Sequence, residues 1–456
     1  MARGDFMKSL IEKCSRLIRH GKFTMNFNRP PQLSLLWWLL LGIFLMWNGS
    51  VGAEGLADRL HLSGYGNFHS MDHHGLPRLV GKDDPNDLFF QMREFSIFFD
   101  FEVSDGILAS LEMQAAENAT HFVPAYAYID IDIPTYVPFW NEAVLGGLGF
   151  RVGRILVPFL SYNENKPNYK QNLMSQPFTA WHLSPVVPSP PDFNRVGWSD
   201  VGAMVNWNHE VGDLGLVDLK VGVIGGLGSD SNVLDDNTVT LAAGAMTPTI
   251  RPRDGFIQNT QFDLRDNNSN KATVVKLSFV PSAFPLDIGA SWYRGAWDPS
   301  GKRTLQMYGI HANWLAHDWT LKGEWVQADV EQSAGTNVVT APGPASINTS
   351  TGDYTSSAWY VEGSYIPFRW GLAGDRYLRL VFRYDEVDTN NKVDFTPFNK
   401  YRITPGMELQ FASNARLRYE FQHSKLRDFS NAPGPFKTAG GKEHINMHMV
   451  SLIFWF

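Results

Sequence analysis

Charged side chains recur at every second position in several stretches of the chain, and that spacing is its first chemical signal. In "LRLVFRYDEV" Arg379 and Arg383 alternate with apolar residues, and in "ARLRYEFQ" Arg416, Arg418, Glu420 and Gln422 oppose Ala415, Leu417, Tyr419 and Phe421. "WTLKGEWV" sets Thr320, Lys322 and Glu324 against Trp319, Leu321, Gly323 and Trp325. Fixed charges of both signs, presented in rows, select and orient ions and polar solutes rather than making or breaking bonds. Groups for covalent chemistry are sparse. There is no G-x-S-x-G, and His209-Glu210 lacks a second His at the zincin spacing. "VGVIGGLG" lies in a strand pattern with no helix pattern after it, which is wrong for a nucleotide loop. His69, Asp72, His73 and His74 in "NFHSMDHHG", and the acidic "SDSNVLDDN", carry metal-ligand types, but the first reads as a solvated loop and the second lacks EF-hand spacing. The reading therefore assigns no catalytic residue, no metal and no cofactor.

A period of two means strands, with one row of side chains on each face. Sixteen segments carry it: 59–70, 88–103, 107–117, 125–133, 144–154, 201–208, 217–226, 271–280, 286–297, 304–315, 319–330, 357–366, 376–386, 400–411, 415–424 and 444–456. The chain has 456 residues, 13% aromatic and 19% charged, with 15 Trp and 31 Phe. Its mean hydropathy is −0.21, too polar for a helical membrane protein. Strands with one lipid face and one wet face satisfy both facts.

The N-terminus reads as an export address. "LSLLWWLLLGIFLMW", Leu33–Trp47, follows Arg29 and leads to Val51-Gly52-Ala53, a small-residue cleavage site. The run is short of the ~20 residues a spanning helix needs. Residues 1–53 are thus expected to be a signal peptide, with 1–24 an upstream extension before Met25, and 54–456 the mature protein. Cys14, the single cysteine, falls in that extension. Removing 1–53 leaves 32 basic and 44 acidic residues, a formal charge of −12, which excludes nucleic acid as a natural partner.

Connection lengths separate a sandwich from a barrel. The even-numbered connections are short, as at Ser104, Pro281, Ala316 and Ala412, while the odd set holds every long one, including Leu156–Asp200 and Leu227–Asn270. Outer-membrane barrels sort their loops this way, with short periplasmic turns, long external loops and an even strand count. The expected fold class is all-β: a transmembrane antiparallel β-barrel of about 16 strands with long external loops, in the outer membrane of a Gram-negative bacterium. The last strand, ending "SLIFWF", would turn Phe456, Phe454, Leu452 and Val450 to lipid after closing against Leu60–Tyr65.

"RLHLSGYGNFHS", "GFRVGRILVPFLSYNEN", "SAWYVEGSYI" and "LRLVFRYDEVDTNN" resemble the phosphate-selective porin (porins O and P) family over most of the mature chain. That resemblance implies a sixteen-stranded, trimeric porin with an inward-folded third external loop. Similarly, the terminal Phe456, with Phe454, resembles the signal read by the barrel-assembly machinery. The chain departs from the family in its inward charges, where phosphate selectors cluster Arg and Lys. Here Asp100, Glu102, Glu112, Asp130 and Asp132 are read on one wall, and Arg379, Arg383, Arg402, Arg416 and Arg418 on another. Arg151, Lys220, Lys276 and Lys322 are read between them. The two walls are expected either to set up a transverse field or to pair across strands. In Leu156–Asp200, Glu164, Lys166 and Lys170 are the constriction candidates, since so long a loop is usually functional. Three functions stay open: a porin for small polar solutes or inorganic anions such as phosphate, a sheath for an electron-transfer or secretion partner, and a barrel enzyme. Outer-membrane lipid and the assembly machinery are the expected partners, with a homotrimer as the assembly.

Overall fold

The computed structural model describes residues 58–74, 89–116, 122–137, 146–165, 170–180, 198–228, 240–241, 248–249, 258–259, 268–332, 334–339, 346–371, 375–392, 399–431 and 442–456. The expectation for residues 1–53 lies outside that set. Arg59–Phe456 form one compact unit.

Sixteen antiparallel strands close into a barrel. They are β1 (Leu60–His74), β2 (Phe89–Ser104), β3 (Ile107–Ala116), β4 (Val123–Asp132), β5 (Leu148–Leu156), β6 (Ser199–Glu210), β7 (Gly215–Ile224) and β8 (Ala272–Pro281). Then follow β9 (Leu286–Ala296), β10 (Thr304–Ala316), β11 (Trp319–Val330), β12 (Tyr354–Trp370), β13 (Arg376–Asp388), β14 (Lys400–Ala412), β15 (Ala415–Leu426) and β16 (His444–Trp455). Each pairs with its sequence neighbours, and β16 pairs with β1, so no barrel edge is left to be satisfied in lipid. Three short two-stranded ribbons lie in the long connections, the largest being Ala334–Val339 with Ser346–Thr351.

Alternation dictates the two faces. Outward rows carry exposed apolar side chains, among them Leu62, Leu277, Ile310, Val361, Phe382 and Leu452. Trp314, Trp319, Tyr365, Phe368 and Trp370 form an aromatic belt at the end with the short turns; Tyr308 and Trp359 are exposed nearer the other end. An apolar band between aromatic girdles is what a bilayer requires of a barrel. Both ends of the barrel chain, Leu60 and Phe456, lie at the short-turn end.

One local reading is corrected. Segment Pro367–Trp370, read as connection, belongs to β12: a register shift between Tyr365 and Phe368 absorbs Pro367, which cannot donate to a regular ladder. Asp132, two residues on from Asp130 in β4, ends that strand and caps the short helix α1 (Ile133–Tyr136); its carboxylate accepts from Thr135 N at 3.3 Å and Thr135 Oγ1 at 2.5 Å.

The seam explains the chain's last residues. Gly64 and Phe456 exchange both backbone hydrogen bonds at 3.0 Å, and Gly66 pairs with Phe454. A Cβ on Gly64 or Gly66 would lie 2.6 Å from a ring carbon of Phe456 or Phe454. The two terminal rings therefore cover two glycine notches of β1, an aromatic rescue of glycine across the closing pair.

Candidate constriction site

After β5 the chain turns into the barrel rather than away from it. Leu160 takes a positive φ of 60°, and its N–H donates to Ser291 Oγ on β9 at 2.9 Å. Leu160 and Leu173 dock where β10 and β14 offer glycine: a Cβ on Gly309 would meet Leu160 at 2.5 Å, and one on Gly406 would meet Leu173 at 2.6 Å. Val157, Phe159, Leu160 and Phe178 join inward Val274, Met307, Val326 and Ala358 in one dry cluster. Burial of that apolar surface supplies the non-directional part of the attachment.

Position comes from charge. A loop inside a barrel must find partners for its backbone groups, and the wall supplies them from side chains. Glu324 accepts from Ser161 N at 3.0 Å, Tyr162 N at 2.7 Å and Thr179 Oγ1 at 2.8 Å. Glu420 accepts from Met174 N at 2.7 Å and from Ser175 N at 3.1 Å. Asp385 takes Phe178 N at 3.1 Å, and Glu362 takes Asn172 Nδ2 at 2.8 Å. Guanidinium groups hold the carbonyls: Arg383 donates to Ser175 O at 2.9 Å, Arg402 to Gln176 O at 2.6 Å and Arg418 to Leu173 O at 3.3 Å. Arg379 donates to Asn172 Oδ1 at 2.8 Å. Hydrogen bonds to ionised groups are the strong ones, so this strap is fixed at many points.

Glu164 tethers the other arm of the loop. It bridges Lys220, at 2.5 Å, and Lys276. Burial pushes its carboxyl pKa up, but the two ammonium charges outweigh this and hold it below the ordinary carboxylate range.

The arginines compensate one another's partners. Glu408 receives Arg379 at 2.9 Å, Arg416 at 3.1 Å and Arg418 at 3.1 Å; Asp385 receives Arg383 at 2.9 Å and Arg402 at 3.2 Å. Arg383 and Arg418 are 1% exposed and Glu408 and Glu420 are buried outright. The wall read as basic is thus a paired, buried array beneath the loop, and pairing takes the place of an open transverse field. Arg416 also stands 4.7 Å over the Trp455 ring.

The remaining residues singled out from the sequence scatter. Asp130 binds Arg151 through two contacts of 2.7 Å. Glu112 is buried, whereas Glu102 keeps 61% of its side chain exposed. Lys322 stands opposite Glu362 in register, and Lys170 is exposed on the loop. Lys166 lies outside the described residues. The sequence reading missed Asp385, Asn172, Ser175 and Gln176. Asp385 shares the row of Arg383 at i+2, a signal present in "FRYDEV"; the loop residues carry no periodicity that could have flagged them.

No family model matches the chain, and no curated protein does. Solved structures do. OmpF of Salmonella typhi, in complex with daunomycin, superposes with a TM-score of 0.50 at 11% identity, over 87% of this chain and 97% of that one. The fold is that of an outer-membrane porin. An anion-selective porin from Comamonas acidovorans (TM-score 0.49, 12% identity, 87% and 99% covered) and the channel DcaP of Acinetobacter baumannii (0.47, 12%, 87% and 97%) are also similar. With its outward apolar band, the barrel belongs in the outer membrane of a Gram-negative bacterium.

Proposed function

We propose that the chain is a porin, a water-filled channel through which small polar solutes and ions diffuse, and not an enzyme. The observation that carries this is the loop after β5, whose described residues 157–165 and 170–180 are strapped inside a closed barrel by Glu324, Asp385, Arg383, Arg402 and Glu420. A strap fixed across a lumen narrows it without plugging it by a separate domain. Trimeric assembly, a cleaved signal over 1–53 and recognition of Phe456 and Phe454 by the assembly machinery complete the proposal.

Inorganic anions such as phosphate are the solutes this geometry favours least. The arginines that would attract them already hold Glu408, Asp385 and loop carbonyls. A sheath for an electron-transfer or secretion partner is disfavoured too, because the lumen is occupied by the chain's own loop.

Purified protein reconstituted in planar bilayers should give discrete conductance steps in potassium chloride. Phosphate should carry current no better than chloride, and uptake into liposomes should fall with solute size. Folded protein that gives no conductance would overturn the channel reading and return the sheath to first place.

A further inference from the structure

The outward row of β16 changes character along its length. Phe454, Leu452 and Val450 are apolar, and His448, Asn446 and His444 follow towards the end with the long loops. On β15, Leu417, Tyr419 and Phe421 lead in the same way to His423 and Lys425. The register sets His423 against Asn446 and Lys425 against His444. An imidazole at the rim of a lipid-facing band is ordinarily an interfacial side chain with a wet tip. His423 and His444 stand in a closer relation than that.

Their rings stack with centroids 5.3 Å apart and planes 25° from parallel, and His423 Nε2 lies 3.3 Å from His444 Nδ1. That is long for a hydrogen bond to nitrogen. It matches two nitrogens on one tetrahedral zinc, where bonds of about 2.0–2.1 Å set the pair about 3.3–3.4 Å apart. Asn446 fixes the tautomer. Its Oδ1 lies 2.7 Å from His423 Nδ1, and a carbonyl oxygen only accepts, so that nitrogen carries the proton and Nε2 keeps its lone pair. Metal-bound imidazoles are held in this way, by an acceptor on the other nitrogen. With its own proton on Nε2, His444 offers a second lone pair from Nδ1, and its exposed side chain is able to turn that lone pair to a point shared with His423. Lys425, the cation in the same row, is paired with Glu443 at 3.1 Å.

We infer that His423 and His444 bind a divalent transition metal ion, zinc or copper(II), as a clip across β15 and β16. Among the described residues no group of three or more His, Cys, Asp or Glu side chains gathers to hold a metal, so the two imidazoles are the protein ligands and water fills the remaining positions. The site is on the lipid-facing rim and outside the lumen. It goes beyond the channel reading and does not rest on it.

Copper(II) added to purified, untagged protein should give a paramagnetic resonance spectrum split by two imidazole nitrogens, and calorimetry should show zinc binding. His444→Gln should remove the two-nitrogen pattern and weaken zinc binding about tenfold or more; Asn446→Ala, which frees the His423 tautomer, should weaken it about tenfold. His448→Gln is the control. Its Nδ1 meets the Tyr419 hydroxyl at 2.9 Å, and its loss should change neither signal. Because the clip exists only in the folded barrel, saturating zinc should raise the temperature at which the native protein loses its compact electrophoretic form, and should not do so in His444→Gln. All variants are compared as heat-modifiable barrel, so a folding defect is seen directly. Zinc binding at native affinity in folded protein carrying both His423→Gln and His444→Gln would assign the ion to other residues and overturn the inference. Native barrel that binds neither ion would overturn it as well, whether or not the protein conducts.

Discussion

Glu324 and Glu420 are the two carboxylates whose removal should free the strap. Together they accept four loop amides, from Ser161, Tyr162, Met174 and Ser175, and the Thr179 hydroxyl. Both are buried, at 4% and 0% exposure, so no water competes for those amides in the native state. Once water replaces them, such bonds are worth about 0.5–1.5 kcal/mol each, so five give roughly 3–7 kcal/mol. With about 1.4 kcal/mol per tenfold, the docked population relative to the released one should fall by at least about two decades in Glu324→Ala, Glu420→Ala. The assay is single-channel recording beside liposome swelling with a graded series of sugars. A released strap should raise conductance and admit larger sugars. Glu102→Gln, which removes an inward carboxylate without touching the loop, should leave the size limit unchanged. If the double variant forms heat-modifiable barrel in native yield and keeps its conductance and size limit, the loop does not set the constriction.

Acid should release the second tether. Because Glu164 has a depressed carboxyl pKa in the folded protein, its bridge to Lys220 and Lys276 is fully present above the ordinary Glu value of about 4.3 and is lost as pH falls through the lower folded value. Conductance should be level from neutral pH down to about 5 and change only below about 4; Glu164→Gln should show the acid behaviour at neutral pH, and an unchanged acid step in that variant would assign the step to other carboxylates. At the seam, Gly66→Val should push the Phe454 ring off β1 and lower the yield of heat-modifiable barrel, with a smaller effect in the paired variant Gly66→Val, Phe454→Ala, where the 2.6 Å clash is removed. Equal yields in native and Gly66→Val protein would deny the rings any part in closure.

The sequence alone determined what a two-residue period can encode. Each strand, the parity of its connections, the inward set from Arg151 to Arg418 and the outward end of the last strand all follow from whether neighbouring residues alternate. Alternation is a local property and survives any choice of tertiary partner. Boundaries moved where a special residue intervened, as at Pro367, whose missing N–H is absorbed in a bulge, or at Asp132, whose carboxylate turns back to cap α1. What the inward charges do was decided only by the tertiary structure. Met174 and Glu420 are 246 positions apart, and Ser161 and Glu324 are 163 apart. No pattern within the loop records that its amides meet carboxylates on β11 and β15. An arginine row reads the same whether it faces water or a folded strap. Closing the barrel brings the strap over that row, and desolvation then makes pairing with Glu408 and Asp385 the only affordable state for Arg383 and Arg418.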